Sequence, residues 1–211
     1  MDQTALHTRK PVQERSRERV EKVLAAAEQL LLEAGPEHTS IPEIARTSGV
    51  PRASIYQFFP NKYALFLAIG DIHLQAVVNV IREVSEQRQA DEPLAQLIRR
   101  AVQAVAEYYN RHPVAGTLIL GGPMSRNAYL SQEMTVQDIG VQVRAILATH
   151  WPQLSFPQQP DVITLGVELA FACMKHGYYT DGRISQDVME EAAVATECYL
   201  SARVQASSGA Q

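Results

Sequence analysis

The chain has 211 residues, enough to bury a sizeable core as one helical domain or as a small domain joined to a larger one. Its hydrophobic content of 46% and charged content of 20% are ordinary for a soluble globular protein. The net charge of −4 argues against a protein that is basic throughout. No run approaches the length of a membrane span, the N-terminus lacks the apolar core of a signal peptide, and the cysteines, Cys173 and Cys198, predict free thiols in a cytoplasmic protein.

The first helix is predicted from about Ser16 to Ala34, where Gly35 ends it. Thr39 or Ser40 is expected to cap a second helix. Six basic residues gather just before and inside the first helix: Arg9, Lys10, Arg15, Arg17, Arg19 and Lys22. Such a run is usually a solvated helix face. Next to the motif described below, we interpret it as an arm that seeks phosphates.

A helix-turn-helix is predicted at about residues 41–58. Ala45 is small where two crossing helices must approach closely, and Gly49 suits the left-handed backbone of the tight turn. The small core under the turn takes the apolar residues Ile44, Val50, Ile55 and Phe58. The second helix of such a motif lies in a DNA major groove, and the residues that point outward from it are Pro51, Arg52, Ala53, Tyr56 and Gln57. Two ordinary core helices joined by a short turn are the alternative, which the agreement of several independent constraints disfavours.

The rest of the chain is also predicted to be helical, and without a two-residue alternation typical of strands the fold class is all-α. Asn61 is expected to cap a long fourth helix, and Pro93 opens the clearest amphipathic helix, which ends at His112. Later helices are predicted at residues 130–148, 161–179 and 185–204, with a loop at 151–160. We expect a DNA-binding domain at 1–65, a larger helical domain at 66–205 and a disordered tail at 206–211.

The segment from Thr39 to Leu65 resembles the DNA-binding signature of the tetracycline-repressor-like (TetR) family. The matching stretches are Thr39-Ser40-Ile41-Pro42-Glu43-Ile44-Ala45, Ser48-Gly49-Val50, Ser54-Ile55-Tyr56, Phe59-Pro60-Asn61-Lys62 and Ala64-Leu65. The close match covers roughly residues 16–70. The resemblance implies an N-terminal three-helix DNA-binding domain with a helix-turn-helix, joined by a long fourth helix to a helical C-terminal domain for ligand binding and dimerisation.

The resemblance also implies that Thr39, Tyr56 and Lys62 bind DNA phosphates. Thr39 has a hydroxyl at a helix start, where free amides attract an anion, and Tyr56 offers a phenolic donor. Lys62 stands at the start of the fourth helix, where a cation is unfavourable for the helix dipole unless an anion lies beside it. For Lys62 the alternative is an ordinary solvated lysine.

Base reading would fall to Arg52, Ser54 and Gln57, with Pro51 and Ala53 supplying van der Waals contacts. An arginine can bind guanine O6 and N7 through two hydrogen bonds, and a glutamine can bind adenine in the same way. A solvated polar face, or contacts to phosphates alone, is an equally weighted alternative for these residues.

One helix-turn-helix contacts too little DNA for useful specificity, so we expect a homodimer that reads a palindromic operator. The segment at residues 162–174 is apolar nearly all round, more than one buried face requires. The last two helices are therefore predicted to pair with those of a second subunit in a four-helix bundle. The alternative is that both helices belong to the internal core.

By the same resemblance, the C-terminal domain holds a small-molecule effector whose binding is coupled to DNA binding. The candidate pocket residues are Tyr108, Tyr109, Met124, Phe171, Met174 and His176, although such residues at helical spacing are more often core. Few charged residues fall on the inner faces, which favours an apolar or aromatic effector. We expect a repressor that the effector releases, while the same physics permits activation.

Catalytic and metal-binding patterns are not evident in the sequence. The six histidines do not pair with cysteines or carboxylates at metal-ligand spacing, apart from Cys173 and His176 on one helix face, and there is no phosphate-binding glycine loop or nucleophile elbow. An enzyme, a cofactor, a metal site and membrane association are therefore not expected. The alternative from another class is a helical ligand-binding or protein-interaction module without DNA binding.

Overall fold

The computed structural model describes residues 12–122 and 125–206. Nearly all of this part of the chain is helical, which confirms the predicted all-α fold class. The chain divides into two compact units between Phe66 and Leu67, one residue beyond the predicted boundary. The predicted features that lie outside the described residues are Arg9, Lys10, Met124 and positions 207–211 of the tail.

The described part of the N-terminal unit contains α1 (Val12–His38), α2 (Ile41–Ser48), α3 (Arg52–Phe58) and the start of α4 (Lys62–Glu86). α1 is broken at Gly35, whose φ of 74° and ψ of 173° are accessible to glycine but strained for other residues. Asn61 caps α4 as predicted, because its Oδ1 accepts a hydrogen bond from the Ala64 amide at 2.9 Å. The core consists of apolar side chains that are at most 5% exposed: Val23, Ala27, Leu31, Ile41, Ile44, Val50, Ile55 and Leu65.

The second unit continues α4 and adds, within the described residues, α5 (Leu94–Arg111), α6 (Pro113–Ala115), a π-helical turn (Gly116–Leu120), α7 (Arg126–His150), α8 (Val162–Asp181) and α9 (Gln186–Arg203). Local sequence signals determine the ends of the long helices. Ser125, Asp161 and Ser185 are N-caps whose side chains accept backbone amide hydrogen bonds, and α8 ends at Gly182 with a φ of 69°.

The Asp161 cap has a second partner, since its carboxylate also pairs with Arg144 of α7. Arg144 in turn donates to the Phe156 carbonyl at 3.0 Å, so it ties the loop after α7 to the start of α8. Although partial burial acts to raise it, the hydrogen bonds from Thr164 and Arg144 lower the pKa of Asp161 below its ordinary value. The cap is therefore a charged carboxylate at neutral pH.

Glycines allow the helices of the second unit to approach closely. A Cβ added at Gly140 on α7 would lie 3.1 Å from Cα of Thr164 on α8 and would collide with its hydroxyl. At Gly177 on α8 an added Cβ would lie 3.0 Å from Cγ1 of Val188 on α9. α8 thus packs between α7 and α9 at distances that larger residues would not permit.

Two features differ from the sequence predictions. A short antiparallel pair joins β1 (Leu154–Ser155) to β2 (Gln205–Ala206), where we expected a loop and, from residue 206, a disordered tail. Two-residue strands are too short to leave an alternating pattern in the sequence. In addition, α4 is long and apolar enough by composition to cross a membrane, so the prediction that no run approaches that length is wrong. Several of its apolar side chains are buried in the protein, as in a core helix: Leu65, Phe66, Ile69, Leu74, Val77 and Val78.

We predict that Gly140→Ala destabilises the protein by about 1–3 kcal/mol, because α7 and α8 must move apart to accommodate the new methyl group. Gly70→Ala on α4 is the matched control: its added Cβ meets no heavy atom within 4 Å, and replacing a helical glycine stabilises by about 0.5–1 kcal/mol. Urea unfolding followed by circular dichroism measures both. Equal shifts in the two variants would contradict the close approach at Gly140.

Candidate nucleic-acid interface and apolar cavity

The turn between α2 and α3 depends on Gly49, the C-cap of α2, which has a left-handed φ of 69°. The next amide, that of Val50, donates to the Ser48 hydroxyl oxygen at 3.2 Å, and α3 begins two residues later with Pro51 as its N-cap. Ile44 of α2 and Ile55 of α3 are both fully buried, one on each side of the turn. One face of α3 therefore packs in the core, and the opposite face is exposed.

The exposed face of α3 carries the residues that the sequence analysis assigned to it: Pro51, Arg52, Ala53, Tyr56 and Gln57. Half of the Tyr56 side chain, 51%, is accessible. Ser54 is half-buried. The Arg52 guanidinium forms no hydrogen bond or ion pair with the described residues, so it is available to an external acceptor. This short polar face has the residue types that can donate to base edges and phosphates.

Arg46, in the last turn of α2, was missed by the sequence analysis. It is exposed, and with Pro42, Gly49 and Arg52 it lines a shallow cleft between α2 and α3. The signal was present in the sequence, because positions 42, 45, 46 and 49 share one face of a helix. The cleft places a second arginine beside Arg52.

Thr39 differs from the other predicted phosphate ligands. Its side chain is completely buried, and its hydroxyl donates to the Gly35 carbonyl at 2.8 Å, across the break in α1. The residue therefore stabilises the connection between α1 and α2. A role for its side chain as a phosphate ligand is not supported by this position.

Lys62 has protein partners that its position in the sequence does not reveal. Its Nζ donates to the carbonyl of Pro36 at 2.9 Å and to that of Glu37 at 3.2 Å, at the end of α1. The same ammonium lies 5.6 Å from the ring centre of Tyr63, where cation–π attraction stabilises it. The alternative reading of Lys62 as a solvated lysine is thus wrong. Two of its three N–H donors are occupied, and one remains for an external anion.

The basic residues of the predicted arm that the structure describes all lie on α1, and most of them are exposed. Arg17 pairs with Glu21 at 3.1 Å, and Arg19 donates to the Arg15 carbonyl, also at 3.1 Å. An exposed pair of this kind is weak and easily exchanged for a phosphate. The described residues of the arm are therefore exposed on α1, and their role in seeking phosphates stays a prediction.

A separate site lies within the second unit, where α4, α5, α7, α8 and α9 surround an apolar cavity of about 120 Å³. Three of the predicted pocket residues line it: Tyr109, Phe171 and Met174. Tyr108 and His176 do not. Tyr108 is buried elsewhere and hydrogen-bonds His73 Nδ1 at 2.7 Å, and His176 is exposed on α8. Adjacent residues on a helix point about 100° apart, so Tyr108 and Tyr109 do not share a face.

The cavity wall is aliphatic apart from a few side chains. Its further lining residues include Leu74, Val77, Ile98, Val102, Val136, Ile139, Ile163, Val167 and Leu200. Burial, together with the nearby Tyr108, raises the pKa of Tyr109 well above its ordinary value, so this phenol is neutral across the physiological range. Within the described residues no group of three or more histidine, cysteine, aspartate or glutamate side chains is placed to hold a metal ion.

Comparison with known proteins agrees with the geometry of the N-terminal unit. Residues 23–69 match the family model of the "Bacterial regulatory proteins, tetR family". The HTH-type transcriptional regulator EthR of Mycolicibacterium smegmatis is 30% identical over 122 residues, which are 54% of this chain and 55% of that protein. The HTH-type transcriptional activator FasR of the same organism is 25% identical over 128 residues, 61% of this chain and 55% of that protein. The chain spans about half the length of these curated relatives.

Solved structures extend the similarity in fold to the second unit. The crystal structure of RolR in complex with resorcinol superposes with a TM-score of 0.65 and 14% sequence identity, covering 89% of each chain. Both curated relatives are transcriptional regulators and not enzymes. The family match is thus carried by the N-terminal segment, residues 23–69, and the second unit is similar to the solved structures in fold.

We predict that Lys62→Met lowers the free energy of unfolding by about 1 kcal/mol, because the carbonyls of Pro36 and Glu37 lose a charged donor. Lys22→Met is the matched control, since Lys22 is exposed on α1 and has no side-chain partner among the described residues. Chemical denaturation of both variants is the measurement. If Lys62→Met were as stable as the control, the two hydrogen bonds would not contribute to the fold.

Proposed function

We propose that the chain is a dimeric, DNA-binding transcriptional regulator of the cytoplasm, a repressor that a small apolar or aromatic effector releases from a palindromic operator. The observation that carries the proposal is the exposed polar face of α3, which bears Arg52, Tyr56 and Gln57 on a helix-turn-helix formed around Gly49. The match of residues 23–69 to the tetR family model supports the same reading of this face.

The proposed DNA contacts divide into two groups. Arg52, Ser54 and Gln57 read base edges in the major groove, and Pro51 and Ala53 add van der Waals contacts. Tyr56 and the remaining donor of Lys62 bind phosphates, and Arg46 joins them from the end of α2. We leave Thr39 out of this set because its hydroxyl is buried and engaged.

The outward face of α8 supports dimerisation. Its exposed residues recur at intervals of four and three, the spacing of a helix seam: Leu165, Leu169, Ala172, His176 and Tyr179. Leu165 is 41% exposed and Tyr179 67% exposed, so these side chains are not buried in the core of their own subunit. On α9, Cys198 and Ala202 are exposed as well. Two such helix pairs related by a two-fold axis would form the four-helix bundle.

The apolar cavity supports the effector part of the proposal. It contains no charged side chain among its lining residues, and RolR, which shares the fold, has been crystallised with resorcinol. If the effector binds one conformation of the dimer and DNA binds another, each weakens the binding of the other. The factor is the same in both directions. FasR is a transcriptional activator, and the same coupling between effector and DNA is compatible with activation.

The decisive experiment selects bound fragments from genomic DNA with the purified full chain and measures their affinity by fluorescence anisotropy at increasing salt. A regulator loses affinity steeply, with a log–log slope of about −0.9 for each phosphate contacted on duplex DNA. A helical interaction module without DNA binding would enrich no fragment and show no salt-dependent binding. That result would overturn the proposal.

We predict that Arg52→Ala weakens binding to the selected operator by about 1–3 kcal/mol, since a bidentate contact to guanine is lost. Affinity for random DNA should fall much less. Arg183→Ala is the matched control, because Arg183 is an exposed arginine of the second unit. Equal losses on operator and random DNA would show that Arg52 contacts a phosphate.

We predict that Leu169→Arg converts the dimer to a monomer, because it places a charge in the middle of the proposed seam. Val141→Arg on α7 is the control, as Val141 is 64% exposed and lies outside the seam. Light scattering coupled to size-exclusion chromatography gives the mass of each variant. A dimer that survives Leu169→Arg and dissociates with Val141→Arg would move the interface to α7.

A further inference from the structure

We infer that the cavity of the second unit selects an uncharged compound with a single aromatic ring and one hydroxyl or carbonyl group, and that the Tyr109 hydroxyl is the hydrogen-bond partner of that group. The inference rests on the effector binding proposed above and specifies its chemistry. It is carried by the size of the cavity, the nature of its wall and the position of Tyr109.

The volume matches about one ring. The cavity measures about 120 Å³. An engineered apolar cavity of about 150 Å³ in another protein stays dry and binds benzene. A ligand with two fused rings or a long acyl chain would extend beyond this apolar space.

The wall excludes charge. None of the lining residues is ionised at neutral pH, and only two lining side chains carry a hydroxyl, Tyr109 and Thr196. A carboxylate or an ammonium group would lose its hydration without gaining a counter-charge, which is far more costly than burying a neutral group. The rings of Tyr109 and Phe171 and the thioether of Met174 favour an aromatic ring over an alkyl group of similar size.

The two hydroxyls differ in availability. Thr196 donates to the Ala192 carbonyl one turn earlier in α9, at 2.8 Å. Tyr109 is only 5% exposed, and its hydroxyl forms no hydrogen bond with any residue in the ranges 12–122 and 125–206. A ligand group that bonds to this hydroxyl therefore gains a hydrogen bond that the protein alone does not make. Tyr109 is therefore the residue that positions the polar group of the ligand.

The test is isothermal titration calorimetry of the full chain with three probes of one ring each: phenol, toluene and benzoate. We expect phenol to bind and benzoate not to bind. Tyr109→Phe keeps the ring and removes the hydroxyl, so phenol should bind about tenfold more weakly, while the affinity for toluene should not fall. Thermal unfolding of each variant confirms that it is folded.

The matched control is Tyr108→Phe, which removes the neighbouring hydroxyl that is engaged with His73 outside the cavity. This variant should bind phenol like the unmodified chain. Equal phenol affinity in Tyr109→Phe, an equal loss in Tyr108→Phe, or binding of benzoate would each overturn the assignment, as would the failure of both phenol and toluene to bind.

The same preparation is titrated with operator DNA, so the two proposals fail separately. A chain that binds operator but neither phenol nor toluene is a regulator whose effector has a different chemistry. A chain that binds phenol through Tyr109 but no DNA keeps the cavity assignment and loses the regulatory function.

Discussion

The N-terminal unit depends on one backbone conformation, the left-handed φ of 69° at Gly49. Because a side chain at this position would be strained, glycine is the residue that lets α2 stop and α3 start within three residues. The sharp turn brings Ile44 and Ile55 into one core. It also leaves the opposite side of α3 free, and the polar surface that carries Arg52 is a direct consequence. The proposed recognition of DNA thus begins with a steric property of the chain.

The second unit uses glycine for a different purpose. Gly140, Gly166 and Gly177 have little room beside them, so α7, α8 and α9 pack at short distances. This close packing does not extend to the centre, where larger side chains from five helices surround the cavity. α8 contributes to the close helix packing, to the cavity wall and to the exposed surface. It carries close-packed glycines, the cavity-lining residues Phe171 and Met174, and an exposed seam that begins at Leu165. Its nearly continuous apolar sequence follows from these simultaneous demands.

The two sites use opposite physical chemistry. The face of α3 is exposed and offers charged and polar donors, so the proposed affinity for DNA depends on charge and falls with salt. The cavity is apolar and uncharged, so the proposed affinity for an effector depends on shape, apolar area and one hydrogen bond. The basic surface and the uncharged cavity are therefore separated along the chain, at positions 46–62 and 74–200. Such a separation lets each site be changed without altering the chemistry of the other.

The sequence by itself determined the long helices, the starts of several of them and the outward face of α3. These features follow from local signals: Asn61 and Asp161 cap the helices that follow them, and helical periodicity places Arg52 and Gln57 on one side. The tertiary structure decided which polar groups were available. Thr39 and Lys62 carry suitable chemistry, but the carbonyls of Gly35, Pro36 and Glu37 engage them.

In the second unit, tertiary contacts also decide the roles of two neighbouring tyrosines. Tyr109 lines the cavity, whereas Tyr108 hydrogen-bonds His73, thirty-five positions away. The short pairing of Leu154 with Ala206 was not predicted, because it also depends on a contact between segments that are distant in the sequence. A helix start or a periodic face is encoded within a few neighbouring residues. The partner of a side chain depends on segments that only folding brings into contact, and the residue types alone do not specify which of them will meet.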